Sequence, residues 1–209
     1  MIIAGALSLC MVVSGIAVQT PKENCAAEDT TTKSVDLEGY QINTKIGTQR
    51  IIASVEPVIN GKSVVDYGLI YGLESFNKFT TSWKEEDMVA GSENRYVYMQ
   101  STEGTGVLTY QFGKSETATY FQMSMTFGEF SKVAYEANYK VRAYAKLSDG
   151  TYVYGSIYSY SIFKVASYLY QKQRMKTEEE HDYLYNNILT VVDPSYGKID
   201  FGWSEIVTL

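Results

Sequence analysis

Hydrophobic and polar residues alternate along residues 139–163, in two runs that flank the pair Asp149-Gly150. Side chains of a strand point alternately to opposite faces, so this alternation predicts two β-strands. An Asp-Gly pair between runs rich in aromatic and β-branched residues predicts a hairpin with a two-residue type I′ turn. The predicted cross-strand pairs are Ser148 with Thr151, Leu147 with Tyr152, Ala145 with Tyr154, Ala143 with Ser156, Val141 with Tyr158 and Tyr139 with Tyr160.

The two faces of this hairpin differ in charge. The face that carries these pairs sets small residues against tyrosines and holds no charge, which predicts that it is buried. The opposite face carries Lys140, Arg142, Tyr144 and Lys146, and we predict that it contacts water. The alternative interpretation is that the tyrosine-rich face is an exposed platform on which sugar rings stack.

Six further runs have the composition of strands and are separated by turn residues such as Asn60-Gly61. They cover residues 40–46, 48–55, 64–73, 95–100, 107–112 and 119–127. Strands that recur roughly every ten to fifteen residues, with turn signals between them, are typical of an antiparallel β-sandwich. We therefore predict a mainly β fold, with one sandwich over residues 39–163.

The pattern changes after the hairpin, where apolar residues recur with the spacing of a helix. Thr177 followed by Glu180 makes a capping box, which predicts the start of a helix. This helix is predicted to stop at Asp193-Pro194, because proline cannot continue a helix. The sequence thus predicts two short helices within a C-terminal extension and tail, residues 164–209.

An uncharged apolar stretch at residues 2–18 is too short and too often interrupted for a transmembrane helix. It is typical of the core of a secretory signal peptide, and residues 25–27 (Cys-Ala-Ala) provide small residues for cleavage. We predict a signal peptide at 1–27, a linker at 28–38, no transmembrane segment in the mature chain and an extracellular or cell-surface location. The alternative is a buried N-terminal strand or helix.

Composition is that of an ordinary globular protein, with 45% hydrophobic residues among 209, enough for one sizeable core. The formal net charge is −6. Phosphate binding requires a basic surface, so this charge argues against a nucleic-acid partner.

Residues 139–145, Tyr-x-Val-Arg-Ala-Tyr-Ala, are followed by the Asp-Gly turn and by Tyr154-Gly155. This stretch resembles the F–G hairpin of fibronectin type III-like and immunoglobulin-like modules, many of which occur in bacterial secreted or cell-surface proteins. Residues 66–71, Asp-Tyr-Gly-Leu-Ile-Tyr, are similar to the C strand of the same modules. The resemblance implies a β-sandwich. No functional residue can be inferred from the resemblance, because the family has no shared catalytic site. The C-terminal helices depart from the family pattern.

Candidate catalytic groups are few. His181 is the chain's one histidine, and it lies in the acidic first turn of a predicted helix, where we expect a solvated side chain. The sequence has no Gly-x-Ser-x-Gly motif, no usual set of zinc ligands and no complete dinucleotide-binding loop. We therefore predict no catalytic residue, no metal and no cofactor.

The sequence favours a non-catalytic, exported module of a bacterial surface or secreted protein that binds or adheres to a protein or glycan. Aromatic side chains provide large contact areas in recognition. The candidate ligand-binding residues are Trp83, Tyr96, Tyr98 and Tyr144. The alternative is a small polysaccharide-active hydrolase or an accessory domain of one, since paired carboxylates come together only in space.

Overall fold

The computed structural model describes residues 34–74, 85–93, 97–103, 109–114, 117–127 and 131–200. Within these ranges the chain forms two antiparallel β-sheets, packed face to face as a sandwich, and a few short helices. This architecture confirms the predicted mainly β fold class. The predicted signal peptide, residues 1–27, lies outside the described residues, as does the end of the predicted tail, 201–209.

Nine strands make up the described part of the sandwich. In chain order they are β1 (Val35–Asn43), β2 (Thr48–Val55), β3 (Val58–Ile59), β4 (Lys62–Leu73), β5 (Val97–Ser101), β6 (Thr109–Lys114), β7 (Thr119–Thr126), β8 (Tyr139–Leu147) and β9 (Tyr152–Tyr160). The first sheet has the spatial order β1-β2-β7-β6. The second has the order β3-β4-β8-β9, and β5 also pairs with β4. Because β8 occupies one edge of β4, β3 and β5 share the other edge.

The predicted strands are present, with shifted ends. β2 begins and ends at the predicted residues, whereas β1 begins at Val35, inside the segment predicted as a linker. Val35, Asp36 and Leu37 are all buried, and pairing with β2 extends the strand toward the N-terminus. The turn at Asn60-Gly61 is also present, and both residues have positive φ, as a type I′ hairpin requires.

The β8–β9 hairpin is present, but its turn differs from the predicted one. Lys146 pairs with Tyr152, so residues 148–150 form a three-residue loop. Gly150 has a φ of +86°, whereas Asp149 does not have the positive φ that a type I′ turn requires. A three-residue loop with glycine in the left-handed region is the next most common hairpin connection.

A β-bulge in β9 compensates for the extra loop residue. Gly155 and Ser156 together lie opposite Ala143, so the pairs on the turn side are shifted by one residue from the predicted register. The predicted register returns beyond the bulge, where Val141 faces Tyr158 and Tyr139 faces Tyr160.

The bulge moves two tyrosines from one face of the sheet to the other. A shift of one residue in register turns every affected side chain over. Tyr152 and Tyr154 therefore pack on the outer face of the second sheet, in a cluster that contains Ile70, Met88 and Tyr144. Their predicted place in the core between the sheets is wrong.

The core lies between the two sheets and continues beneath the helices. The predicted burial of one face of β8 is confirmed, because its alternate residues are members of this core. Members from the central strands are Ile51, Ala53, Leu69, Phe121, Met123, Val141, Ala143 and Ala145. Burial of apolar surface on both inner faces is the main source of stability in such a sandwich.

A 3₁₀ helix, Glu85–Asp87, lies between β4 and β5. The described α-helices are α1 (Lys132–Glu136), α2 (Ile162–Gln171), α3 (Glu178–Leu184) and α4 (Thr190–Val192). A π-helical segment, Tyr185–Leu189, joins α3 to α4. Thr177 and Glu180 form the predicted capping box at the start of α3. The helical run ends just before Asp193, as predicted, while α1 was not predicted from the sequence.

Candidate functional site

The four predicted ligand-binding residues do not form one described surface. Trp83 and Tyr96 lie outside the described residues. Tyr98 is 52% exposed on β5, where its ring stacks on Tyr71 with 5.5 Å between centroids. Tyr144 is fully buried on β8, so its ring is not offered to an external ligand.

Tyr144 is buried because a segment between β4 and β5 covers the outer face of the second sheet. This segment, residues 85–93, places Met88 against Ile70 and Tyr144. The backbone N–H of Ala90 donates to the hydroxyl of Tyr154 at 2.9 Å. The prediction that this face contacts water is therefore wrong for Tyr144. Alternation shows which residues share a face, but it does not show what packs on that face.

Arg142, which was also predicted to contact water, is buried on the same face. Its Nε donates to the carbonyl oxygen of Gly155 at 2.8 Å, and Nη1 donates to that of Met88 at 3.4 Å. The guanidinium lies 4.7 Å from the centre of the Tyr154 ring, a cation–π contact. Arg142 thus fastens the covering segment to the sheet.

Asp66 is buried at the β4–β5 boundary and accepts several hydrogen bonds. Its donors are the hydroxyls of Ser101, Thr102 and Tyr144 and the backbone N–H groups of Thr102 and Glu103. Burial alone raises the pKa of Asp66, but the hydrogen bonds, led by that from Ser101, outweigh burial and hold the pKa below its ordinary value of 3.8. Burial also raises the pKa of Tyr144, so that hydroxyl remains a donor.

Asp66 is expected to make stability depend on pH. Because folding lowers its pKa, its carboxylate stabilises the fold above the unfolded pKa, and this contribution is lost as the pH falls through the folded pKa. We expect the difference in unfolding free energy between the wild type and Asp66→Asn to be largest near neutral pH and to shrink below about pH 4. Urea unfolding at a series of pH values measures this difference. A difference that stays constant with pH would contradict the role given to Asp66.

A cleft of about 610 Å³ lies at the end of the sandwich, between the β1–β2 turn and the C-terminal helices. This volume is within the range of small-molecule and side-chain binding sites. Phe127 and Tyr135 line the inner side of the cleft and are almost completely buried. Two edges of the rim are aliphatic, since Ile46 is 61% exposed and Val191 is 39% exposed.

The β1–β2 turn forms one wall of the cleft, and Gly47 allows it to lie close to Phe127. Gly47 has a φ of +56°, a conformation that residues with a side chain rarely adopt. A Cβ at this position would lie 2.5 Å from the carbonyl oxygen of Phe127 and 3.2 Å from the hydroxyl of Tyr183. The N–H of Phe127 donates to the Gly47 carbonyl oxygen at 2.8 Å, which fixes the wall in place.

The π-helical segment forms part of the opposite wall and contributes Asn186 and Asn187, both exposed. The side-chain amide of Asn187 donates to the carbonyl oxygen of Tyr183 at 3.1 Å. Each amide carries both donors and an acceptor. Single π-helical turns inside helices are frequent at functional sites.

The charge of the cleft is simple. Among the described residues that line it, Lys45 is the one charged side chain and there is no carboxylate. Burial raises the pKa of Tyr183, and the neighbouring Tyr135 raises it further by a smaller amount. The Tyr183 hydroxyl is therefore neutral at physiological pH. The described lining of the cleft is therefore neutral to positive, in a chain whose formal net charge is −6.

The sequence did not indicate this cleft. Gly47 is the single residue between the predicted strands 40–46 and 48–55, and Asn186-Asn187 are within a predicted helix. The adjacent asparagines were the available signal, because asparagine is a poor helix former and two in succession are unusual inside a helix.

His181 is buried, not solvated as predicted. Its ring stacks on Tyr170 with 4.4 Å between centroids, and its Nδ1 lies 3.3 Å from the carboxylate of Asp182. His181 and Leu184 form the stripe of α3 that faces the core, because residues three apart share a helix face. His181 therefore packs α3 against α2.

The described residues contain no group of three or more His, Cys, Asp or Glu side chains that could hold a metal ion. Among the same residues, none of the helices has the length and apolar character needed to cross a membrane.

Comparisons with known proteins do not assign the chain to a family. No protein-family model matches it, and no curated protein matches it significantly. Among solved structures, it is similar to Astrotactin-2, described as a conserved vertebrate-specific and perforin-like membrane protein involved in neuronal development. The TM-score is 0.35 at 13% identity, over 74% of this chain and 28% of that chain.

Proposed function

We propose that this chain is a non-catalytic, exported module that recognises a protein or glycan at the bacterial cell surface. Export is inferred from the apolar stretch at residues 2–18 and the small residues that follow it. The scaffold is inferred to be an immunoglobulin-like or fibronectin type III-like sandwich.

Strand order supports the proposed scaffold. If the larger strands are lettered along the chain, β1, β2, β7 and β6 correspond to A, B, E and D of an immunoglobulin-like sandwich. In the second sheet, β4, β8 and β9 correspond to C, F and G, with β5 added beside C. Modules with this arrangement present loops at their two ends on a rigid frame, which is a usual place for recognition.

The cleft beside the C-terminal helices is the observation on which the proposed binding function depends. It combines an aliphatic rim with two exposed amides, and it is built from the sandwich end and the helical extension together. A concave site that combines apolar surface with a few converging polar groups is the usual candidate for binding. The helical extension departs from the pattern of fibronectin type III-like and immunoglobulin-like modules. In this proposal it forms one wall of the binding site.

Filling the cleft is expected to remove binding without unfolding the chain. Asn186→Trp places a large ring at an exposed position in the wall, so we expect at least about a tenfold loss of affinity with an unchanged melting temperature. Binding of the purified full chain to a glycan array and to an array of short random peptides measures the affinity. Thermal unfolding measures the melting temperature.

Glu179→Trp is the matched control, because Glu179 is exposed on α3 but does not line the cleft. This variant should bind as the wild type does. The proposal fails if the wild type shows no saturable binding on either array, or if Asn186→Trp binds unchanged. Release of reducing ends from a polysaccharide panel would contradict the non-catalytic part of the proposal.

A further inference from the structure

The proposed function does not distinguish a protein ligand from a glycan ligand. The residues that line the cleft favour one of these two classes. We infer that the cleft takes an exposed segment of a partner protein, which inserts an apolar side chain between Ile46 and Val191 and sets a carboxylate beside Lys45. This inference rests on the proposed binding function and identifies the partner as a protein with an acidic, apolar surface segment.

The rim of the cleft favours a protein over a sugar. Sugar rings bind best to exposed, flat aromatic faces. The rings of Phe127 and Tyr135 are buried and Tyr183 is half-buried, whereas the most exposed apolar groups at the cleft are the branched side chains of Ile46 and Val191. Branched aliphatic groups around a concave surface match an aliphatic or aromatic side chain that anchors a protein contact.

Exposure of this kind is uncommon in the chain. Large hydrophobic residues with substantial exposure are few among the described positions, and Ile46 is exceeded only by Val133 of α1. Helix α1 packs against α4, the helix that carries Val191. Exposed apolar residues that lie together on a folded protein mark sites of interaction, and Ile46 and Val191 both line the cleft.

Charge determines which apolar segment fits. Lys45 is exposed at the cleft, and no carboxylate lines it among the described residues. A carboxylate on the incoming segment therefore meets a cation and, among the described lining residues, no like charge, whereas a basic segment is repelled by Lys45. The amides of Asn186 and Asn187 can bond with the backbone groups of that segment, since an amide both donates and accepts.

An array of short random peptides tests the inference directly with the full-length wild type. The bound peptides should be enriched in an apolar residue next to Asp or Glu. For a peptide taken from that enriched set, Ile46→Ser should weaken binding about tenfold or more, because the anchor loses its apolar contact. Lys45→Gln should weaken binding by up to about fivefold and reduce its dependence on salt.

Val65→Ser is the matched control, because Val65 is 49% exposed on β4 and does not line the cleft. It should bind the same peptide as the wild type does. This inference would be overturned if the wild type bound glycans but no peptides and if Asn186→Trp abolished the glycan binding. The proposed function would still hold in that case. Peptides without acidic enrichment, or equal losses for Ile46→Ser and Val65→Ser, would also overturn it. No binding on either array would overturn both proposals.

Discussion

Replacing Tyr144 with alanine is expected to destabilise the fold by about 3–5 kcal/mol, the usual cost of removing a fully buried aromatic ring. Tyr144 is entirely buried on the outer face of the second sheet, between Ile70 and Met88. Its removal leaves a cavity under the segment that covers this face and deprives Asp66 of a hydrogen-bond donor. Urea unfolding of the purified variant measures the change in free energy.

Tyr144→Phe is the matched control for the ring. It retains the packing and loses only the hydroxyl bond to Asp66, so we expect a cost of about 1 kcal/mol. If Tyr144→Ala cost well under 1 kcal/mol, the outer face would be open to water. Such a result would restore Tyr144 as a candidate for ligand contact.

Gly68→Ala is expected to cost about 3 kcal/mol or more, because the added methyl group has no space. A Cβ at Gly68 would lie 1.7 Å from the carbonyl oxygen of Gln100 and 2.9 Å from the hydroxyl of Tyr144. The nearest obstacle is backbone, which cannot turn aside as a flexible side chain can. Strand β5 must therefore move away from β4, and its pairing along that edge must break.

Gly113→Ala provides the comparison for Gly68→Ala. Gly113 also lies in a strand, but a Cβ there meets only the side chain of Tyr120 at an ordinary 3.6 Å. Thermal unfolding of both variants should show a large loss for Gly68→Ala and little change for Gly113→Ala. Equal effects would mean that the loss reflects glycine-to-alanine replacement in general and not the close approach of β5.

The β8–β9 hairpin shows how far local pattern predicts register. The Asp-Gly pair placed the turn correctly, and the pairs at the far end, including Tyr139 with Tyr160, are as predicted. Between the turn and the bulge the predicted register is wrong by one residue, because the loop has one residue more than predicted. The bulge at Gly155-Ser156 adds one residue to β9 and so restores the predicted register beyond it. The bulge lies at a close contact with a segment distant in sequence, because a Cβ at Gly155 would lie 2.7 Å from the carbonyl oxygen of Val35 and 3.1 Å from Oδ1 of Asp36.

The candidate site could not be predicted from the sequence for a related reason. Its walls come from the β1–β2 turn, the residue that follows β7, helix α1 and the π-helical segment, which are far apart in the chain. Of the residues chosen from the sequence as aromatic contacts, Tyr98 alone is described as exposed, and Tyr144 is in a second buried cluster. The side-chain type that suggested recognition is the same type that fills cores, so composition alone could not separate the two roles.

What the sequence determined by itself is the set of features that depend on near neighbours. The alternation that makes strands, the Asn60-Gly61 turn, the capping box at Thr177 and the stop before Asp193 all act within a few residues of the chain. Only the tertiary structure decided which faces are covered, where β9 bulges, that His181 stacks on Tyr170 and that a cleft opens beside Gly47. Those features depend on contacts between distant segments, and a side chain's own type and spacing do not specify the surface that it meets.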